Sequence, residues 1–214
     1  MPIPAHREEI EIKLPIEDLA ALRARLKRLR ARKITPRTHE LNTLYDTPSQ
    51  HLRRRGQLIR IRIEHPASSI KTARNNNATT ILTYKGPAHP PRNSTPRPRF
   101  KINEEAELSL SSPAEMSRIL RGLGLRPSFR YEKFRTTYAL PGIPALKIEL
   151  DETPVGIYLE LEGPPTAIDR AARLLGYARK DYLTDTYGSL YLAACRRAGR
   201  KPGDMLFPPI KKSR

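Results

Sequence analysis

The sequence predicts an α+β fold in which β-strands close into a barrel and helices pack on its outside. Three observations predict it. Segments such as EIEIKL (9–14) and LIRIRI (58–63) alternate strictly between charged and aliphatic residues, which is the period of a β-strand. The charged positions form doublets of one sign, and amphipathic stretches with helical leucine spacing lie between the strands. There are enough strands to close a barrel with charge inside and aliphatic residues outside.

The strands and helices can be placed along the chain from these patterns. Pro15 and the acidic pair Glu17–Asp18 open the first helix, and the Ser112-Pro-Ala-Glu115 stretch is a capping signal for a later one. Strands are expected at residues 9–14, 41–46, 58–63, 79–86, 104–110, 130–139, 145–151 and 157–162. Helical segments are expected at about 15–29, 47–56, 112–124, 166–176 and 181–198.

One domain over residues 1–199 fits the length and composition of the chain. Hydrophobic residues make up 38% of the 214, which is enough for a core. Residues 65–99 are rich in Pro, Asn, Ser and Thr apart from the strand at 79–86, so a mobile insertion is expected there. Residues 200–214 are basic and contain proline, and we expect a disordered tail.

Charge and composition restrict the function. The formal net charge is +18, which favours polyanionic partners and permits nonspecific binding of nucleic acid or polyphosphate by the basic surface and tail. No apolar run reaches the roughly 20 residues that cross a bilayer, so no membrane partner is expected. Cys195 is the single cysteine, which excludes an intrachain disulfide. A cytoplasmic protein, monomeric or homodimeric, is the simplest interpretation.

The charged doublets carry the chemistry. Residues two apart on a strand share one face. An antiparallel sheet with a solvated charged face explains any single strand, but same-sign doublets on six or more strands favour a charged barrel interior. Buried charges of this kind must be paired or bound to a ligand. The doublets and the added lysine are Glu9, Glu11 and Lys13; Arg60 and Arg62; Lys85; Glu105 and Glu107; Lys133 and Arg135; Glu149 and Asp151; Glu160 and Glu162.

Acidic and basic doublets on different walls match a particular ligand chemistry. Converging carboxylates are hard oxygen ligands for Mg²⁺ or Mn²⁺. Arginine and lysine match phosphate oxygens, and arginine can bind them bidentately. Metal between carboxylate and phosphate, with cations opposite, is the arrangement of a phosphoryl-transfer site.

The same residues resemble the CYTH superfamily, the triphosphate tunnel metalloenzymes. Its members include class IV adenylyl cyclases, thiamine triphosphatases and inorganic tripolyphosphatases. The resemblance covers about residues 8–192. The similar segments, in chain order, are EIEIK (9–13), LYDTPSQHLRRRGQLIRIR (44–62), TYKGP (83–87), YEKFRTTY (131–138), KIELDETPVGIYLELEG (147–163) and Thr186–Tyr187.

The resemblance implies an antiparallel eight-stranded tunnel that holds a triphosphate with Mg²⁺ or Mn²⁺. It also implies individual roles. Metal ligands would be Glu9, Glu11, Asp151, Glu160 and Glu162. Phosphate would be bound by Lys13, Arg60, Arg62, Lys85, Lys133 and Arg135. Lys13 or Lys85, with a pKa lowered among like charges, is the candidate catalytic base. The roles of Glu105, Glu107, Glu149, Tyr45 and Tyr187 stay open, with barrel-end packing an equal alternative for the two tyrosines.

Three functions stay open at this point. Metal-dependent hydrolysis of a triphosphate, such as inorganic tripolyphosphate, is preferred because no adenine pocket is evident. Cyclisation of ATP to cyclic AMP and pyrophosphate needs almost the same residues. A polyphosphate- or nucleic-acid-binding module without catalysis would explain the basic charge but not the acidic doublets. Asn103 stands where family members often carry an arginine, which removes one charge from that end of the tunnel.

Overall fold

The computed structural model describes residues 7–67, 78–88 and 99–208. Within them lie eight strands, five α-helices and a 3-10 turn. The strands are β1 (Arg7–Ile16), β2 (Arg32–Asp46), β3 (Leu58–Pro66), β4 (Thr79–Pro87), β5 (Lys101–Leu110), β6 (Arg126–Ala139), β7 (Lys147–Thr153) and β8 (Gly156–Glu162). The helices are α1 (Leu19–Arg28), α2 (His51–Arg54), α3 (Pro113–Gly122), α4 (Pro165–Leu174) and α5 (Tyr187–Arg197), with the 3-10 turn at Arg179–Asp181.

The strands form one closed barrel in the order β1-β5-β4-β3-β2-β6-β7-β8. Every neighbouring pair is antiparallel. Closure pairs β1 with both β5 and β8, so neither end of the sheet is left as an open edge. The predicted α+β barrel with helices outside is confirmed.

The outer face of the barrel carries the main apolar core. Ile12 and Leu14 of β1 are fully buried there, because the strand period directs them away from the charged face. They pack with aliphatic residues of β7 and β8 against Leu22 of α1 and Ile168 of α4. The charged residues of the same strands are thereby directed inward.

Local capping sets where the outer helices begin, as the sequence predicts. The Asp18 side chain accepts a hydrogen bond from the backbone N of Ala21 at 2.9 Å, and α1 starts at Leu19. Ser112 accepts from the backbone N of Glu115 at 3.2 Å, with Pro113 at the first position of α3. Both helices begin within a few residues of the predicted start.

Two elements differ most from the sequence prediction in where they begin. Strand β2 begins at Arg32, not at 41, because it pairs with β6 along its whole length through irregular registers near Thr35 that hide the alternation. Helix α5 begins at Tyr187, not at 181. The chain before it is held extended by a bridge between Leu183 and Lys13 of β1, and Thr186 then caps the helix.

The segment after α5 also differs from expectation over residues 200–208. Met205 is 1% exposed, and its backbone N donates to the carbonyl of Arg130 at 2.9 Å. Asp204 accepts from the Arg130 side chain at 2.7 Å. Apolar burial and backbone pairing along β6 therefore order this part of the expected tail. Residues 209–214, and residues 68–77 and 89–98 of the expected insertion, lie outside the described residues.

No helix in the described part of the chain combines the length and apolar character needed to span a membrane.

Candidate active site in the barrel

A cavity of about 1080 Å³ runs through the barrel and is lined by side chains from all eight strands. The α5 mouth is the end bounded by Gln50, Phe129 and Leu192. The β7 mouth is the opposite end, bounded by Ile34 of β2 and Lys147 of β7. The walls between the two mouths carry most of the charged residues that the sequence singled out.

One set of charges, here called the inner cluster, is centred on Asp151. The cluster consists of Glu40, Lys133, Arg135, Asp151 and Tyr187. Asp151 is 0% exposed and accepts from Lys133 Nζ at 2.9 Å, Arg135 Nε at 2.6 Å and the Tyr187 hydroxyl at 2.6 Å. Lys133 and Arg135 line the cavity, and Asp151 lies behind them outside its lining. Asp151 therefore orients the two cations.

Arg135 connects this cluster to the rest of the tunnel. Besides Asp151 it contacts the carboxylates of Glu149 and Glu160. Glu40 Oε1 lies 3.6 Å from its Nε. Burial alone would raise the pKa of Glu40, but Lys133 and Arg135 outweigh it and lower the pKa to about 2. At neutral pH the inner cluster therefore contains an ionised Glu40 opposite the positively charged Lys133 and Arg135.

A second set, here called the lysine-bridged pairs, places an ammonium group between two carboxylates. Lys13 Nζ lies 3.2 Å from Glu11 and 3.0 Å from Glu160. The other two bridges are Lys85 between Glu9 and Glu105, and Lys147 between Glu149 and Glu162. In this arrangement carboxylates predicted as metal ligands are held by lysines of the chain itself.

The carboxylates around Lys13 and Lys85 shift the pKa of both lysines in the opposite direction to the one expected for a catalytic base. Burial would lower the pKa of Lys13, but Glu11 and Glu160 outweigh it and raise the pKa well above its ordinary value. Burial would also lower the pKa of Lys85, but the nearby Glu9 carboxylate outweighs it and the pKa of Lys85 is raised. Each ammonium faces carboxylates instead of the like charges that were expected. The assignment of Lys13 or Lys85 as the catalytic base stays a prediction.

The two arginines of β3 face the cavity beside β4 and β5. Arg60 donates to the Tyr131 hydroxyl at 3.2 Å and to Thr83 Oγ1 at 3.1 Å. Its buried Nε has no hydrogen-bond partner among the described residues. Arg62 donates to Glu107 Oε1 at 3.3 Å. These guanidinium groups keep donors available for an anionic ligand.

The residues to which the sequence assigns no role all line the cavity: Glu105, Glu107, Glu149, Tyr45 and Tyr187. The two tyrosines make different contacts. Tyr187 belongs to the inner cluster, whereas the Tyr45 hydroxyl donates to Ser117 of α3 at 2.9 Å and its ring packs in an outer apolar cluster.

Sequence reasoning missed charged residues that the structure places in the tunnel. Glu40 lies one residue before the segment predicted as a strand. Its spacing of two from Asn42 is the signal that could have placed it on the inner face of β2. Lys101 lies two residues before Asn103 on the same face of β5, and its Nζ is 2.6 Å from Glu11. Lys101 thus adds a cation next to Asn103, but on Glu11, whereas Asn103 donates to Glu9 at 3.3 Å. Lys147 opens β7 on the face of Glu149, which the same period could have shown.

The acidic side chains do not converge on one point. In the described ranges, no group of three or more His, Cys, Asp or Glu side chains is arranged to hold a metal ion. They are distributed as pairs along the wall, each pair with a cation between its members.

The comparison with known families decides the identity. The CYTH domain model matches residues 7–187, most of the chain. The chain belongs to the CYTH family. Members of this family act as triphosphatases or adenylyl cyclases, and the triphosphate tunnel enzymes among them are generally dependent on divalent metal. No curated protein matches the sequence.

Solved structures share the CYTH fold at low sequence identity. A proposed adenylate cyclase from Vibrio parahaemolyticus has a TM-score of 0.68 at 16% identity, covering 86% of this chain and 98% of that one. The PH1819 protein from Pyrococcus horikoshii has a TM-score of 0.65 at 22% identity, with coverages of 87% and 99%. HpAC1 from Hippeastrum, described as having a dominant triphosphatase activity, has a TM-score of 0.54 at 21% identity, with coverages of 91% and 97%. At these identities the likeness establishes the fold.

Proposed function

We propose that this CYTH protein is a metal-dependent triphosphatase that binds its substrate inside the barrel. The observation that carries the proposal is a cavity through a closed barrel, in which buried arginines and lysines line the same space as carboxylates. Burying this many charges is costly, and the arrangement suits an anionic ligand that binds together with metal cations.

The cationic wall supplies phosphate binding. Arg135 and Lys133 are fixed by Asp151, so their remaining donors are oriented before a ligand arrives. Arg60 and Arg62 face the cavity from β3, on the other side of β2. A linear triphosphate between these groups would exchange the present carboxylate contacts for charge-assisted hydrogen bonds to phosphate oxygens.

The acidic wall has the donor chemistry for a divalent ion. Glu9, Glu11, Glu160 and Glu162 line the cavity with carboxylate oxygens, the ligands that Mg²⁺ and Mn²⁺ prefer, and cations already lie between them. These four carboxylates are the candidates for the metal by their chemistry, although no three of them are arranged around one point in the described ranges. Asp151 would act by orienting Lys133 and Arg135. A bound divalent ion would neutralise phosphate charge and lower the pKa of an attacking water.

In the proposed reaction, a water oxygen bonds to the terminal phosphorus as the bond from that phosphorus to the bridging oxygen breaks. The leaving pyrophosphoryl group keeps the bridging electron pair, and the proton of the water passes to solvent or to a phosphate oxygen. The residues of the chain bind and align the phosphates and compensate the charge of the leaving group.

Adenylyl cyclisation is the second candidate, and one observation favours it. At the α5 mouth the cavity is lined by Leu44, Phe129, Leu192 and Pro202, together with the charged Arg53 and Asp204. Such a surface suits an organic group attached to the triphosphate, and Phe129 offers a ring for stacking. A nucleotide bound this way could present its ribose hydroxyl in place of water.

A product assay tests the proposal. The protein is incubated with tripolyphosphate, ATP or thiamine triphosphate in Mg²⁺ or Mn²⁺, and the products are resolved. Orthophosphate release that stops on addition of EDTA is expected. Cyclic AMP as the main product would replace hydrolysis by cyclisation. Binding that weakens steeply with salt, ignores EDTA and yields no product would instead indicate a polyanion-binding module.

Glutamine variants test the acidic wall directly. Glu9→Gln and Glu162→Gln are each expected to lower turnover about 100-fold or more, because each removes a charged ligand oxygen. Glu17→Gln, at an exposed position before α1, is the control and should turn over like the wild type. Full turnover by both tunnel variants would show that the metal ligands are assigned wrongly.

A further inference from the structure

Tyr131 is a buried residue of the tunnel to which the proposed reaction assigns no role. It lies on the inner face of β6, two residues before Lys133, and it lines the cavity although it is only 7% exposed. Its hydroxyl accepts a hydrogen bond from Arg60 Nη1 at 3.2 Å. A phenol hydroxyl also has one hydrogen to donate, and no acceptor receives it in the part of the chain that the structure describes.

Packing on several sides fixes the ring of Tyr131. The ring stacks with Phe129 at a centroid distance of 5.9 Å and meets the Tyr187 ring at 6.4 Å. From outside the barrel, the segment after α5 joins the same point of β6 through a bridge between Tyr131 and Met205. The hydroxyl oxygen is therefore held at one position of the cavity wall before any ligand binds.

Polar groups without partners collect beside this hydroxyl. Arg60 Nε is buried and has no hydrogen-bond partner among the described residues. Asn42 pairs with Tyr131 in the register of β2 and β6, is 2% exposed, and has no partner for either amide atom in the same ranges. Buried polar groups are nearly always hydrogen-bonded, so these exceptions require an explanation. Most of them are donors, which suits a ligand rich in acceptor oxygens.

Nearby positive charge makes the Tyr131 hydroxyl a stronger donor. Burial would raise the pKa of Tyr131, but Arg60 and Lys133 outweigh it and lower the pKa below its ordinary value. The hydrogen bond from Arg60 polarises the O–H group in the same direction. Such a hydroxyl forms a short, strong hydrogen bond to an anionic oxygen.

We propose that Tyr131 is a substrate-binding residue, whose hydroxyl accepts from Arg60 and donates to a phosphate oxygen of the ligand in the tunnel. The inference rests on the proposed function in one respect, the binding of a linear triphosphate beside Arg60 and Lys133, and it requires neither metal nor hydrolysis. Arg60 and Tyr131 together would offer a charged and a neutral donor to neighbouring phosphate oxygens.

Calorimetric titration with tripolyphosphate in EDTA tests this contact apart from metal and turnover. Tyr131→Phe removes only the hydroxyl, and affinity should fall about tenfold or more because a hydrogen bond to a charged group is lost. In Mg²⁺, kcat/KM should fall by a similar factor. Tyr138→Phe is the matched control, because this tyrosine of the same strand packs against the outer apolar core, and it should match the wild type in both measurements.

The outcomes of the titration separate the inference from the proposed function. Equal affinity and equal kcat/KM for Tyr131→Phe and the wild type would overturn the inference alone. A wild type that neither binds tripolyphosphate in EDTA nor turns over any triphosphate in Mg²⁺ or Mn²⁺ would overturn the proposed function together with the inference.

Tyrosine absorption distinguishes a direct contact from an effect transmitted through Arg60. The chain has no tryptophan, so the ultraviolet difference spectrum on saturation with tripolyphosphate reports its tyrosines. Donation to an anion shifts phenol absorption to longer wavelength. This signal should appear in the wild type and Tyr138→Phe and be largely lost in Tyr131→Phe. Weaker binding by Tyr131→Phe with an unchanged difference spectrum would show that the hydroxyl only positions Arg60, which would overturn the inference and leave the proposed function intact.

Discussion

The inner cluster and the lysine-bridged pairs use the same charges in different ways. In the inner cluster, Asp151 is shared by three donors from two elements, and its cations have little freedom. In the bridged pair at the β7 mouth, one exposed lysine spans two carboxylates. Removing one member of the first arrangement disrupts a network, whereas removing Lys147 from the second breaks two partly exposed ion pairs.

In the proposed function, the difference would separate two tasks, the binding of phosphate and the binding of metal. Phosphate recognition benefits from guanidinium and ammonium groups already held in place, because their ordering entropy is lost in folding and not in binding. Metal recognition requires carboxylates that can release one cation and accept another. The predictions below test this division of tasks, starting with the change expected to do most damage.

Asp151→Asn should destabilise the protein most. Lys133 and Arg135 would remain buried with much of their compensating charge removed, and breaking a buried ion pair in this way costs roughly 3–5 kcal/mol. Denaturant unfolding measures the loss. Glu152→Gln, the next residue on β7, is the control: it breaks only the partly exposed pair with Arg37 and should cost below about 1 kcal/mol. Similar losses for the two variants would show that the inner cluster is not a network.

Arg135→Lys should damage phosphate recognition more than stability. A lysine keeps the positive charge but cannot reproduce the two contacts to Asp151 and the additional contacts to Glu149 and Glu160. We expect kcat/KM for the best triphosphate to fall about 30-fold or more, in line with loss of charged hydrogen bonds. Arg37→Lys on the outer face of β2 should leave kcat/KM unchanged. An Arg135→Lys enzyme with wild-type kcat/KM would mean that charge alone suffices.

The sequence predicted the bridged pairs better than the inner cluster. The period of two determines which residues of a strand face inward, so Glu9, Glu11 and Glu160 could be assigned to the tunnel from one strand each. The position of Asp151 behind its cations could not be predicted this way. The position of Asp151 depends on Tyr187, which belongs to a separate helix. The period of a strand shows which side chains point inward, but not whether an inward side chain reaches the cavity or lies behind its neighbours.

The fold was predictable for a similar reason, and its exceptions have physical causes. Alternation located the strands because one face is aliphatic and the other charged. It failed over residues 32–40, where β2 pairs with β6 through irregular registers, and Glu40 was missed with it. The order of residues 200–208 depends on Met205 packing beside Tyr131 and Tyr187, a contact between distant parts of the chain that composition does not reveal.

Acidification should weaken the inner cluster through Glu40. Its pKa is lowered to about 2 in the folded protein, so its contribution to stability is complete above the ordinary value near 4.5 and is lost as the pH falls through about 2. A shift of this size is worth roughly 3 kcal/mol. The melting temperature of Glu40→Gln should therefore fall less between pH 5 and pH 2.5 than that of the wild type. Parallel curves would show that Glu40 does not stabilise the cluster by its charge.

Tyr187→Phe should have the smallest effect, and it tests how far the network extends beyond its ion pairs. The change removes the 2.6 Å hydrogen bond to Asp151 but leaves Lys133 and Arg135 on that carboxylate and keeps the ring against Lys13. We expect unfolding free energy to fall by about 1.5 kcal/mol, measured in denaturant. A loss as large as that of Asp151→Asn would mean that the hydroxyl holds Asp151 in place. The inner cluster would then depend on helix α5, and the phosphate-binding wall would be only as rigid as that helix.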